Sequence, residues 1–242
     1  MTRYEWVYCG LESLTEVHFR KVRRLLKQMI GDRAHFTLLD IGGRKSQYTI
    51  GVKCTVQIVD LPLETELQRQ LGLGLTPEMI HGLYRHRSNI TDIRLEDFTQ
   101  TTFPDNLFDG AVSVEVIEHV PDDDGFLRQL HRVLRPGAGA ILTTPNGETV
   151  ENVNPDHHRH YTRQQLINKL EEHFGEVDVF YGVRQGYLHE ASRPLWTSPN
   201  LRDLVTAPWR MACLFLNNIL EPDRSYVPKS FDLLFAVVRK AT

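Results

Sequence analysis

The segment Asp109–Asn146, DGAVSVEVIEHVPDDDGFLRQLHRVLRPGAGAILTTPN, constrains the 242-residue chain more than any other stretch. It opens on an apolar run, Gly110–Val114, and closes on another, Ala140–Thr143. Short apolar runs without alternation are expected of strands buried on both faces, as in a parallel sheet. Between them, Asp124–Leu134 carries apolar residues at helical spacing, with Asp122 or Asp123 as N-cap and Arg135-Pro136-Gly137 as terminator. Strand, helix and strand in that order make a right-handed crossover, and the chain is read as α/β.

The same pattern recurs along the sequence. Leu14–Ile30 is an amphipathic helix ended by Gly31-Asp32, within an N-terminal helical segment over residues 1–33. Strands are expected at Phe36–Ile41, Val56–Val59, Ile90–Leu95, Val177–Tyr181 and Leu233–Val238. Helices are expected at Glu64–Leu71, Pro77–Tyr84 and Thr162–Phe174, the last capped by Thr162. The expectation is one Rossmann-like, doubly wound domain over residues 1–242, with a mostly parallel seven-stranded sheet and helices on both faces. Residues 182–230 interrupt the last two strands as an insertion too long for a plain loop. Trp196, Trp209, Phe215 and the helix-like Pro208–Leu220 suggest a helical cap that binds substrate; completing a core or a dimer surface is the other reading.

Composition narrows the setting. A net charge of −3 gives no pull toward nucleic acid, and a small-molecule partner is expected instead. Arg20, Lys21, Arg23, Arg24 and Lys27 cluster near the start, as a solvated helix face or a phosphate-binding patch. Three separated cysteines fit a reducing compartment, the N-terminus lacks a signal-peptide pattern, and Leu204–Leu220 is too short and polar to span a membrane. A cytoplasmic location follows as an expectation.

In open α/β sheets ligands sit at the carboxyl ends of the strands. The first strand ends in Asp40-Ile41-Gly42-Gly43, and Asp60 closes the second, twenty positions on. A carboxylate there can accept both hydroxyls of an adenosine ribose. The loop reads GGRKS rather than GxGxxG, a poor cradle for a pyrophosphate, which argues against a dinucleotide enzyme.

These motifs, with Asp109–Asn146, resemble the class I, Rossmann-like S-adenosylmethionine-dependent methyltransferases over roughly residues 38–174. The resemblance implies S-adenosylmethionine as cofactor. It sets Asp40, Gly42 and Gly43 at the methionine end, Asp60 on the ribose and Leu61 against the adenine. It gives Asp97 and Phe98 to the adenine amino group and ring, with Asp92 as a rival, and turns Val114 and Glu115 toward the pocket. Arg44 and Ser46 stand where the family carries its second and third loop glycines.

Glu115, Glu118 and His119 are spaced i, i+3, i+4 and share one face only if the turn is helical. Downstream lies Asp156-His157-His158-Arg159-His160-Tyr161-Thr162-Arg163. The set resembles the metal site of small-RNA 2′-O-methyltransferases and, in its first three residues, of ubiquinone-pathway O-methyltransferases. That implies Mg²⁺ or Mn²⁺ on Glu115, Glu118, His119 and His157. Two alternatives stay open: His119 as a metal-free general base, imidazole being the side chain that exchanges protons near neutrality, or a plain pocket wall. His119, Glu115 and His157 are the candidate catalytic residues. The expected reaction is O-methylation of a small-molecule hydroxyl on a natural product, sugar or phenol. A metal-dependent RNA ribose 2′-O-methyltransferase, a non-catalytic adenosyl-binding module and a dehydrogenase are the alternatives.

Overall fold

The computed structural model describes residues 1–192, 201–227 and 231–242, without the side chains of Lys45 and residues 201–204. Seven strands form one sheet: β1 (Thr37–Ile41), β2 (Thr55–Asp60), β3 (Ile90–Leu95), β4 (Phe108–Val114), β5 (Leu134–Pro145), β6 (Glu176–Arg184) and β7 (Phe231–Arg239), in the order β3-β2-β1-β4-β5-β7-β6. All neighbours are parallel except β7, which runs antiparallel to both β5 and β6. The doubly wound α/β expectation therefore holds.

Period-two alternation divides the core between the two faces. Leu39, Ile41, Val59 and Ala111 pack on one side with Phe126, Leu127 and Leu130 of α5 (Asp123–Val133) and Leu166 and Leu170 of α6 (Arg163–Glu171). Leu38, Val56, Ile58 and Val112 face the other side with Val22, Leu25 and Leu26 of α2 (Val17–Ile30). Asp122 caps α5 by accepting from the Gly125 N–H, and Thr162 forms a capping box with Gln165 on α6.

Three elements differ from the sequence reading. The N-terminal segment expected to be helical is two helices, since a separate α1 (Arg3–Gly10) precedes α2, held by a Thr2–Glu5 capping box although it has no apolar face. No turn separates α5 from β5. The Asn106 and Leu107 N–H groups take the carbonyls of Arg132 and Val133, and the pairing steps from Phe108↔Leu134 to Gly110↔Gly139. Arg135-Pro136-Gly137 is thus a bulge inside the strand. Pro208 lies within α8 (Leu201–Leu220), a longer helix than its sequence suggests. Two further helices, α3 (Glu66–Leu71) and α4 (Pro77–His86), lie between β2 and β3, and α7 (Tyr187–Ser192) follows β6.

The insertion over 182–230 is described for α7, α8 and their flanks; Trp196 lies outside the described residues. Its end is anchored by a buried ion pair. Lys21 Nζ of α2 lies 3.0 Å from Glu221 Oε1, with side chains 2% and 4% exposed. Lys21 also donates to the Pro222 carbonyl, and Glu221 accepts from the Val183 and Arg184 N–H groups. Burial pushes the Lys21 ammonium below its usual range. Removing one partner strands the other charge in the interior. Lys21→Ala is expected to cost about 3–5 kcal/mol, read as a lower urea midpoint at unchanged slope. A loss below about 1 kcal/mol would mean that water reaches the pair.

Candidate functional site

The carboxyl ends of β1, β2 and β4, with the segment after β3, open on one cleft of about 420 Å³. Phe19 of α2, residues 71–74 and the loop holding Asn154, Asp156 and His157 complete its walls. Among the described residues, none of the 182–230 insertion lines it. The described insertion rests on α2 and the Glu12–Leu14 turn instead.

Gly42 leaves β1 with φ +72°, and a Cβ there would meet Val116 Cγ2 at 2.4 Å. Only glycine satisfies both the left-handed backbone and that approach. A Cβ at Gly43 would meet Ile58 Cγ2 at 2.7 Å. Asp40 departs from expectation. It is fully buried, absent from the cleft wall, and accepts from Tyr48 Oη at 2.9 Å and Thr49 Oγ1 at 3.4 Å. Burial raises its carboxyl to about 6, against the pull of Arg87. Arg87 also donates to Ser46 Oγ at 2.6 Å and to Thr49 Oγ1. Ser46 is therefore turned inward and leaves the cleft free. Arg44 stays on the wall, its guanidinium donating to the Leu73 carbonyl at 2.9 Å.

Asp60 lies on the cleft wall at the end of β2. Its carboxylate accepts from the Leu61 N–H at 2.8 Å and the Arg44 N–H at 3.1 Å. Each oxygen keeps a second lone pair for a ligand hydroxyl. Burial raises this carboxyl to about 6. Leu61, Asp97, Phe98 and Val114 line the same cleft, as the family pattern implies, whereas Asp92 does not and pairs with Arg94. Asp97 is fixed by accepting from the Thr99 N–H and hydroxyl, and Phe98 stacks edge-on against Phe126.

After β4 the chain turns through Glu115, whose φ of +53° is left-handed. Its N–H donates to the Thr143 carbonyl at 3.0 Å, which holds the turn. Residues Ile117–His119 then form one 3-10 turn. Glu115 consequently faces the open cleft and falls outside the group in which Glu118, His119 and His157 ligand atoms all lie within 4.8 Å of one another. The expected four-residue set is thus three residues plus a neighbour.

Glu118 is fully buried; its Oε2 accepts from Thr144 Oγ1 at 3.1 Å, while Oε1 has no partner. Burial, with Glu115 nearby, raises its carboxyl well above the usual range. His119 Nδ1 meets Asp156 Oδ2 at 2.5 Å, the contact that in the neutral ring holds the proton on Nδ1 and turns the Nε2 lone pair to the cleft. A second chain fixes His157. His160 Nδ1 faces the Val150 carbonyl at 3.0 Å, and in the neutral ring its Nε2 accepts from His157 Nδ1 at 2.7 Å. In that tautomer His157 Nε2 carries a lone pair too. Burial, reinforced by His119 and His160, lowers the His157 pKa to about 4 and keeps it neutral. The His158 N–H clamps this loop to the Glu118 carbonyl at 2.8 Å. One carboxylate oxygen and two imidazole nitrogens, each oriented from behind, suit a divalent cation in donor type.

Sequence reasoning missed Asp156, Phe19, Tyr48, Glu96 and residues 71–74. For Asp156 the signal was its place beside His157; the others carry none.

A family profile described as a methyltransferase domain matches residues 53–142. A probable S-adenosylmethionine-dependent methyltransferase of Mycolicibacterium smegmatis is 35% identical over 107 residues, which cover 42% of each chain. The match thus spans under half the length of that relative. Sterol 24-C-methyltransferase of Aspergillus fumigatus is 38% identical over 64 residues, covering 26% of this chain and 17% of that one. In fold, the chain is similar to phosphoethanolamine N-methyltransferase 2 of Haemonchus contortus, solved with S-adenosylhomocysteine. That likeness has a TM-score of 0.62 at 17% identity and covers 92% of this chain and 52% of the other. No helix among the described residues is long and apolar enough to cross a membrane. By strand order, cleft and these likenesses, the chain carries a methyltransferase-domain match over residues 53–142 and resembles the class I S-adenosylmethionine-dependent methyltransferases.

Proposed function

We propose that this chain transfers the methyl group of S-adenosylmethionine to a small-molecule hydroxyl in the cleft, with His119 as the proton acceptor. The observation that carries this reading is the His119–Asp156 pair. Asp156 holds the ring in one tautomer, and Nε2 is the atom left to take a proton. As the acceptor oxygen bonds to the methyl carbon, its proton passes to His119 Nε2. The carbon–sulfur bond breaks toward sulfur, and S-adenosylhomocysteine leaves as a neutral thioether. Asp60, Asp97 and Leu61 hold the adenosine, and the Gly42–Gly43 turn borders the methionine end.

The orphaned Glu118 Oε1 supports a second reading of the same centre. Glu118, His119 and His157 would hold Mg²⁺ or Mn²⁺, and such an ion supplies Lewis acidity toward an acceptor oxygen. The stretch of identity to a sterol 24-C-methyltransferase supports a carbon acceptor as an alternative to the hydroxyl.

Calorimetry tests the reading. S-Adenosylhomocysteine titrated in EDTA is expected to bind with a Kd of about 1–100 μM, and no binding below millimolar refutes a working cofactor site. Mn²⁺ titrated alone is expected to give heat that Glu118→Ala removes. Absence of that heat leaves His119 to act without a metal.

A further inference from the structure

The helix α8 leaves more apolar surface outside than it packs within. Its packed side is mixed: Cys213 and Asn217 are buried, Leu214 packs on the core of the α2 face, and Asn218 Nδ2 donates to the Ser13 and Thr15 carbonyls at 3.3 and 3.0 Å. Its outer side is apolar. Val205, Trp209, Met211, Phe215, Leu216, Ile219 and Leu220 are each 44–74% exposed, with Pro208 and Ala212 between them. No charged residue interrupts this face among the described residues.

We infer that this face is a homodimer interface in which α8 packs antiparallel against α8 of a second copy. Three observations select that occupant. Val205, Trp209, Ala212, Leu216 and Ile219 follow a 4-3-4-3 spacing, the seam of a two-helix coiled coil. A two-fold axis through Ala212 sets Val205 level with Ile219 of the partner subunit, and the small alanine lets the helices approach. The seven large side chains offer on the order of 700 Å², near the ~800 Å² that each partner buries in a stable interface. That exceeds the ~300–600 Å² of the largest patch on a typical monomer. Charge decides against a lipid surface. A helix lying on a membrane needs basic residues on its polar side, and here that side is turned into the protein. A face without charge is complementary to itself, as an isologous contact requires. This inference is independent of the reaction proposed above.

Sedimentation velocity on the full chain from about 1 to 100 μM tests it. The wild type is expected to be a dimer, and Trp209→Glu with Leu216→Glu is expected to raise the dimer Kd by at least about 100-fold. Both sites are exposed, so circular dichroism and S-adenosylhomocysteine binding should be unchanged. Ala212→Cys provides an independent readout, because oxidation should then link two copies at the axis. A wild type that is monomeric at 100 μM overturns the inference, as does a dimer that survives the double substitution. Co-flotation of a monomer with phosphatidylcholine–phosphatidylglycerol vesicles, lost in the same variant, overturns it in favour of a lipid surface.

Discussion

Replacing His119 with alanine is expected to lower turnover by about 10²- to 10⁴-fold while leaving S-adenosylhomocysteine affinity within about threefold. The expectation rests on where the ring sits. His119 is held by Asp156 on one side of the cleft, while the candidate cofactor contacts Asp60, Asp97 and Leu61 come from the ends of β2 and β3. Losing the imidazole removes a proton acceptor, or a metal ligand, without touching the adenosine wall. Single-turnover rates with saturating S-adenosylmethionine and equilibrium titration of the product would separate the two effects. Normal turnover in the variant would eliminate both chemical readings of the turn. Restored activity in alkaline buffer would single out the missing base, since hydroxide can then ionise the acceptor.

Asp60→Ala is expected to have the opposite signature. Two hydrogen bonds from ribose to an ionised carboxylate are each worth about 1.5–3 kcal/mol, so S-adenosylhomocysteine should bind at least about 100-fold more weakly. The pH dependence follows from the same group. Burial raises the Asp60 carboxyl to about 6, and the ligand needs the ionised form. Affinity should be flat above about pH 7 and fall toward tenfold per pH unit below 6. The sign is fixed: protonation removes acceptor strength, so acid weakens binding. The Asp60→Ala variant should show no such slope. Unchanged affinity in the variant would remove Asp60 from the site.

The sheet was legible because buried strands leave short apolar runs, and Asp60, Glu118, His119 and His157 were legible because they stand at the ends of such runs or in a histidine-rich loop. What escaped depends on backbone geometry that side-chain patterns do not encode. Asp40 was expected on the methionine end, but Tyr48 and Thr49 fold back over it and make it part of the floor. Glu115 was expected beside Glu118 and His119, but its left-handed turn swings it out of their group. Within the segment read as helical over residues 1–33, the bounds of α1 escaped because a capping box, not an apolar stripe, defines it. The insertion was read from its aromatics as a cap, and its described part packs on α2 because Lys21, a residue of the basic cluster, pairs with Glu221.

Glu115 has a bearing on how variants of this protein should be chosen. A glutamate held at φ +53° occupies a conformation that glycine adopts freely, at a cost of order 1 kcal/mol or more. Screens that rank substitutions by thermal resistance would therefore favour glycine at position 115. The same substitution erases the carboxylate that faces the cleft beside Glu118. A selection scored on melting alone would therefore remove one of the acidic groups that line the cleft.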